Sequence, residues 1–406
     1  FFHIDCLQYF KILYVTSQVP LQHILCWGEG TRLSCYFYPF SGTILIIREV
    51  ILKGNFFSYP RSSRWQRFRC VPARERVFGG MTVNEKYTEV LEQYELELIS
   101  ARRGRGAWIC ETDQGLKMVR EYKGTVKRLE FEEYVLAFLQ ENGYPLVDRY
   151  VRNKEDALVS PAEDGTRFIV KNWFADRECN LKDPKEVLKA VSQIAGLHKT
   201  LRKIPFDSEW SMGSVLAEPA GLEMERHNRE MRRARNFIRG KRQKNEFELC
   251  ITGSFSHFYQ QAAEACKGME KLDKTEQEEK YLSHGDLNQH HVLMAAQGIA
   301  VVEFNKLHLG LQIEDLYHFM RKAMEKQNWD EGLGLSILEA YDKVLPLKET
   351  DRKRLYYLLL YPEKYWKQIN FYYNGNKAWI PVKNVEKLRD LEVQEENKGK
   401  FLRRIS

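Results

Sequence analysis

The sequence predicts an α+β protein in which a small strand-rich unit is followed by a larger, mainly helical one. Three observations carry this. Two β-prone runs, 107–112 and 116–122, flank Asp113-Gln114-Gly115, the pattern of a hairpin with a short glycine-containing turn. Residues 181–395 are dominated by helical apolar periodicity. Among those helices only 283–305, which carries HGDLNQHHVLM and AVVEFN, reads as strand and loop. The boundaries this gives are an extension over 1–80, a smaller lobe over 81–171 and a helical lobe over 172–400.

Within the smaller lobe, Thr125 is placed to cap a helix whose apolar residues Phe131, Tyr134, Val135, Phe138 and Leu139 recur at helical spacing. Asn142-Gly143, with Pro145 beyond, supplies the stop. Short strands are expected at 150–151, 158–160 and 167–170. Residues 172–180 form a connector. Asp183, Pro184 and Glu186 then provide a cap, a first-turn proline and a capping-box acid. On that helix Val187, Val191, Ile194, Ala195 and His198 share one face, which makes His198 a core histidine rather than a ligand. Further helices are expected at 220–245, 246–272, 274–281, 312–327, 332–344, 348–373 and 383–395.

The net charge of +7 is concentrated at one end. Residues 1–80 hold ten Lys and Arg against four Asp and Glu, so the other 326 residues are nearly neutral and carry no global field for nucleic acid. All nine Met lie at Met81 or later, and half of the eight Cys (Cys6, Cys26, Cys35, Cys70) lie before it. These features predict that translation starts at Met81 and that 1–80 is a mis-called reading frame; the alternative is a poorly ordered basic extension. The apolar run 33–47 is too short for a membrane span, which needs about 20 residues. Cys110, Cys179, Cys250 and Cys266 are widely spaced without a CxxC pair. That argues against zinc and a disulfide framework, and suits a reducing cytoplasm. Segment 225–244 holds nine Arg and Lys. A solvated helix face explains it better than a nucleic-acid surface, because aromatics other than Phe237 are missing.

The residues that could carry chemistry fit phosphoryl transfer, which needs an acceptor-side carboxylate, oxygen ligands for metal and a cation for the donor phosphates. Asp286, a short acid in a loop behind Gly285, fits the first need. Magnesium favours oxygen ligands. Yet the position five residues on, where an Asn would serve, holds His291, whose imidazole is a poor magnesium ligand. The acid at the end of the next strand is Glu303, and Asn305 beyond it is neutral. On the donor side Gly104 and Gly106 form a phosphate cradle or a plain hairpin turn. Arg120 or Lys117 is the strand cation, and Glu132 is its expected partner because helical angles put it at the edge of the apolar face.

HGDLNQHHVLM, EFNK and IEDLYHFMRK resemble the kinase-like superfamily that includes aminoglycoside and choline phosphotransferases. More narrowly, SHGDLNQHHVL, DLYHFMRKAMEKQNWD and YPEKYWKQINFYYNGNKAWI are similar to CotS-type spore coat proteins of endospore-forming bacteria. The phrases ICETDQGLKMVREYKG, HNREMRRARNFIRGKRQKNEFE and VEKLRDL agree. The resemblance spans 85–395 and none of 1–80. It implies a bilobal protein-kinase-like fold with a nucleotide cleft between the lobes, and ATP and magnesium as cofactors. It matches Asp286 to the catalytic Asp, His291 to the metal-binding Asn and Glu303 to the second metal Asp. Asn305 stands where coat relatives keep an Asp. Asp315 and His284 take the support of the loop, and Arg120 the strand cation. The implied role is a coat component, made in the mother-cell cytoplasm and incorporated into the spore coat beside other coat proteins, with no membrane segment. The altered ligands predict a degraded or weak catalytic site; the alternative is an active ATP- and magnesium-dependent phosphotransferase acting on a small-molecule hydroxyl.

Overall fold

Five antiparallel strands build the smaller lobe, in the order β1 (Leu98–Gly104), β2 (Ala107–Thr112), β3 (Gly115–Glu121), β5 (Arg167–Asn172) and β4 (Ser160–Pro161). The computed structural model describes residues 86–104, 106–174, 177–205, 215–275, 279–373 and 382–406. The reading of 1–80 falls outside the described residues. The expected hairpin is β2–β3, closed by Thr112 opposite Gly115. β1 is the strand implied before the Gly104–Gly106 turn, though its sequence sets no bounds for it. It is an edge strand exposed along most of its length, so no alternation marks it. Expected strand 150–151 is reduced to a single bridge from Tyr150 to Lys171.

The period-2 alternation of β3 and β5 decides which side chains reach the cleft. Val119 pairs with Val170 and faces an outer cluster with Val90, Leu91 and Tyr94 of the helix α1 (Lys86–Leu91) and its following turn. Met118, paired with Lys171, faces the opposite cluster, where Ile109 meets Leu293, Ala300 and Val302. Those last three belong to the hairpin β7 (Val292–Ala295)–β8 (Gly298–Val301) and the residue after it, so this cluster joins the sheet to the helical lobe.

Helix α2 (Val126–Glu141) starts at Thr125, whose side chain accepts from the Arg128 amide, and ends at Asn142, with Gly143 at φ +83°. Its buried face is wider than expected: Leu129, Glu132 and Leu136 join Phe131, Val135 and Leu139, while Tyr134 is exposed. A helix covered on two sides needs more than one apolar stripe.

The helical lobe contains α3 (Pro184–Leu201), α4 (Ala220–Gly240), α5 (Glu246–Thr275), α6 (Gln312–Lys326), α7 (Glu331–Asp342), α8 (Glu349–Leu360), α9 (Glu363–Tyr373) and α10 (Val382–Ile405). Asp183 caps α3 through the Lys185 amide, but Glu186 turns to the Asn180 amide and Arg177 instead of closing a capping box. The helix expected at 274–281 is corrected at its end: Tyr281–Ser283 is β6, pairing with β9 (His308–Gly310) on either side of the HGD loop. The helix expected at 348–373 is two helices, because Pro362 cannot continue α8. The basic run 225–244 lies largely on α4, whose apolar stripe (Met224, Met231, Ala234, Ile238) is buried while Arg232, Arg233 and Arg239 are exposed. No helix among the described residues is long and apolar enough to cross a membrane.

Candidate functional site

Gly285 sets the shape of the HGD loop. It sits at φ +84°, and a Cβ there would lie 2.2 Å from the Lys306 carbonyl oxygen, so only glycine fits. Asp315, in the first turn of α6, accepts the His284 amide at 2.6 Å on one carboxylate oxygen and the Gly285 amide at 2.9 Å on the other. Its Oδ2 also lies 3.2 Å from His198 Nε2. Burial alone would raise the Asp315 pKa; the His198 contact and the two amides outweigh it and hold the carboxyl well below the usual range. His198 is thus a core histidine, as its helical face predicts, but one with a polar task. His284 donates from Nε2 to the Val302 carbonyl while its Nδ1 accepts the Asp286 amide, and burial pushes its pKa down to about 4. It is neutral near pH 7.

Asp286 emerges half-exposed at the tip of this braced loop. Its carboxylate pairs with Lys306 at 2.9 Å and accepts a longer bond from Asn288. Partial burial raises its pKa, but Lys306, with help from His291 and His284, brings it below the ordinary value. It is an ionised carboxylate with access to solvent, the chemistry of a base for a hydroxyl.

The metal positions are arranged differently. His291 Nδ1 lies 2.6 Å from the Asp286 carbonyl oxygen, so the ring donates back into its own loop. Burial outweighs the opposing pull of Asp286 and Glu303 and lowers its pKa, so the ring is neutral near pH 7. Glu303 follows β8 at φ +70°, a left-handed conformation that costs a non-glycine residue of the order of 1 kcal/mol. Two partners hold it there. Asp148 accepts its amide at 3.0 Å, and Arg120 grips its carboxylate through two parallel bonds of 2.6 Å each. Against burial, the Arg120 pair lowers the Glu303 pKa and keeps the carboxylate charged. Asn305 leaves its side chain exposed and offers only its carbonyl, 3.3 Å from Arg128. Among the described residues no group of three or more His, Cys, Asp and Glu side chains could hold a metal ion. In this arrangement the residues present do not fit magnesium: the imidazole is turned to a carbonyl, and both Glu303 oxygens are held by a guanidinium.

On the donor side the strand parity separates the two cations. Arg120 shares the cleft face with Met118 and Lys171. Lys117 lies on the outer face, buried, where its ammonium bonds to the Gln114 carbonyl and to Asn172, and burial lowers its pKa. The Lys117 alternative is therefore corrected by the alternation of β3. The expected Arg120–Glu132 pair is corrected too. Glu132 is buried, bonded to Arg128 one turn earlier at 2.6 Å and to the Tyr150 hydroxyl. Arg128 in turn donates to the Leu307 carbonyl at 2.6 Å, so α2 is tied to the segment after Glu303 through an arginine. Gly104 and Gly106 close the β1–β2 hairpin, with Gly106 at φ +71°.

Three residues of the candidate site escaped sequence reasoning. Asp148 and Lys171 form a pair at 2.9 Å that is almost wholly buried, and Asp148 also anchors the Glu303 amide. Burial raises the Asp148 pKa to about 6 despite Lys171. A lysine inside the apolar run FIVKNW was the available signal, because a buried ammonium demands a partner. Lys306, solvated and next to Asn305, gave none.

The family model described as "Spore coat putative kinase YutH" matches residues 87–405. Spore coat protein S of Bacillus subtilis (strain 168) is 24% identical over 343 residues, covering 78% of this chain and 93% of that protein. Among solved structures, the aminoglycoside phosphotransferase from Alicyclobacillus acidocaldarius subsp. acidocaldarius DSM 446 superposes with a TM-score of 0.69 at 18% identity, over 82% of this chain and 97% of that one. Spectinomycin phosphotransferase APH(9)-Ia, solved with ADP and spectinomycin, gives a TM-score of 0.57 at 13% identity, over 78% and 98%. The fold is the kinase-like one of small-molecule phosphotransferases, as the sequence resemblance implies.

Proposed function

The chain belongs to the YutH family of spore coat kinase-like proteins, and from that premise we propose that it works mainly as a structural or binding component of the coat, with a weakened phosphotransferase site. One observation carries this reading: Arg120, the cation expected at the donor phosphates, spends its guanidinium on both oxygens of Glu303, the acid expected at the metal. Each group neutralises the other. The likeness to Spore coat protein S supports a place in the coat among other coat proteins, and synthesis in the mother cell is part of the same proposal.

Two measurements test it. Calorimetry with ATP and magnesium gives no affinity tighter than about millimolar, which corresponds to roughly −4 kcal/mol. A tagged copy follows the coat fraction of purified spores. Micromolar ATP–magnesium binding that disappears in Asp286→Ala and Glu303→Ala, or a tagged copy that stays diffuse, overturns the reading.

A second reading, an active ATP- and magnesium-dependent transferase acting on a hydroxyl, is favoured by one fact. Asp286 is intact, ionised and solvent-accessible on a loop braced by Asp315. It requires the Arg120–Glu303 pair to open. Phosphorylated product from a panel of amino-alcohols and aminoglycosides, abolished by Asp286→Asn, would decide for it.

A further inference from the structure

Behind the HGD loop, on the side of β6, the helical lobe carries a partly open cavity of about 230 Å³. That is somewhat below the roughly 300–1,000 Å³ of pockets for drug-sized ligands, so it suits a small metabolite. Arg202, just past α3, lies with its guanidinium 4.6 Å from the centre of the Tyr281 ring. Its Nε donates to Gln312 at 2.8 Å, and among the described residues its two terminal amino groups have no hydrogen-bond partner. Lys348, at the start of α8, adds an exposed ammonium on the rim. Two acids also line the cavity, and both are engaged. Glu279 takes the Tyr281 hydroxyl and lies 3.6 Å from the Lys348 ammonium, and Asp351 accepts the Lys348 amide. The unfilled bonding capacity is therefore that of a guanidinium fork, beside apolar wall from Leu311 and Leu347.

Two chains of hydrogen bonds run from this wall to the loop. The Tyr341 hydroxyl lies 2.7 Å from His198 Nδ1, and His198 Nε2 meets Asp315, which holds the His284 and Gly285 amides. Gln312, held by Arg202, donates at 2.9 Å to the Leu282 carbonyl on the strand that leads into His284. We propose that this cavity is a binding site for a small ring-bearing oxyanion, a carboxylate or a phosphate monoester, held by Arg202 and Lys348, and that its occupancy stiffens the HGD loop through Tyr341, His198 and Asp315.

The test uses the full chain with benzoate, phenyl phosphate and neutral benzyl alcohol as probes. Calorimetry gives at least tenfold tighter binding of one or both anions than of the alcohol, and the preferred anion tells carboxylate from phosphate. Arg202→Met weakens that binding at least tenfold. Lys348→Met, a surface change that leaves the fold intact, weakens it at least threefold. Hydrogen exchange at the His284 and Gly285 amides slows when the preferred anion binds, and Tyr341→Phe binds it without that slowing. Equal binding of the three probes, anion affinity unchanged in Lys348→Met, or exchange at His284 and Gly285 that ignores the ligand each overturns the proposal.

Discussion

Arg120 and Glu303, 183 residues apart, hold each other through two parallel hydrogen bonds of 2.6 Å across the cleft between the lobes. The glutamate side chain is almost wholly buried and the arginine about three-quarters so. Removing one partner leaves a buried charge uncompensated. Arg120→Met should therefore cost about 3 kcal/mol in urea unfolding. The double change Arg120→Met with Glu303→Met should recover most of it, because two apolar groups replace two desolvated charges. A double variant no more stable than the single one would show that the pair does not carry the lobe contact.

Gly285→Ala should destabilise the chain by at least about 2 kcal/mol, since the residue must both stay at positive φ and meet the Lys306 carbonyl at 2.2 Å. The Asp286 environment should be disturbed with it. A thermal melt within one degree of wild type would contradict the loop geometry.

His284 gives a pH dependence whose sign is fixed by burial. Its pKa falls from 6.5 to about 4 on folding. Between those values the unfolded chain binds a proton that the folded chain refuses, so stability is full above pH 6.5 and is lost as pH falls toward 4. At roughly 1.4 kcal/mol per pKa unit the loss is about 3 kcal/mol. An NMR titration of the His284 ring reads it directly; a midpoint near 6.5 in the folded protein would sink the claim.

Lys306→Ala should raise the Asp286 pKa, because burial then acts with its main opposing cation removed. Stability should hardly change, since Lys306 is mostly exposed. Carbon NMR of the Asp286 carboxyl measures the shift, and an unmoved titration would mean that Lys306 does not sit on it in solution.

Much of the fold was legible because its signals are local. Thr125 before a periodic run, Asp183-Pro184 before another and Gly285 before Asp286 each act through the backbone of their own few residues. The resemblance carried by HGDLNQHHVLM extended this to the two-lobed architecture. β1 and the break at Pro362 were less legible, the first for lack of any buried face and the second because its flanks are both good helix.

By itself, then, the sequence determined the two lobes, the order of most elements and which positions depart from an efficient metal site: His291, Glu303 and Asn305. Only the tertiary structure decided what those positions do instead. Strand parity sent Arg120 to the cleft and Lys117 away from it, and Glu132 found Arg128 one helical turn away. Arg120 was left to close on Glu303. The reason is physical. Backbone preference is written in neighbouring residues, whereas the partner of a buried charge is set by whichever opposite charge the folded chain brings within hydrogen-bond distance.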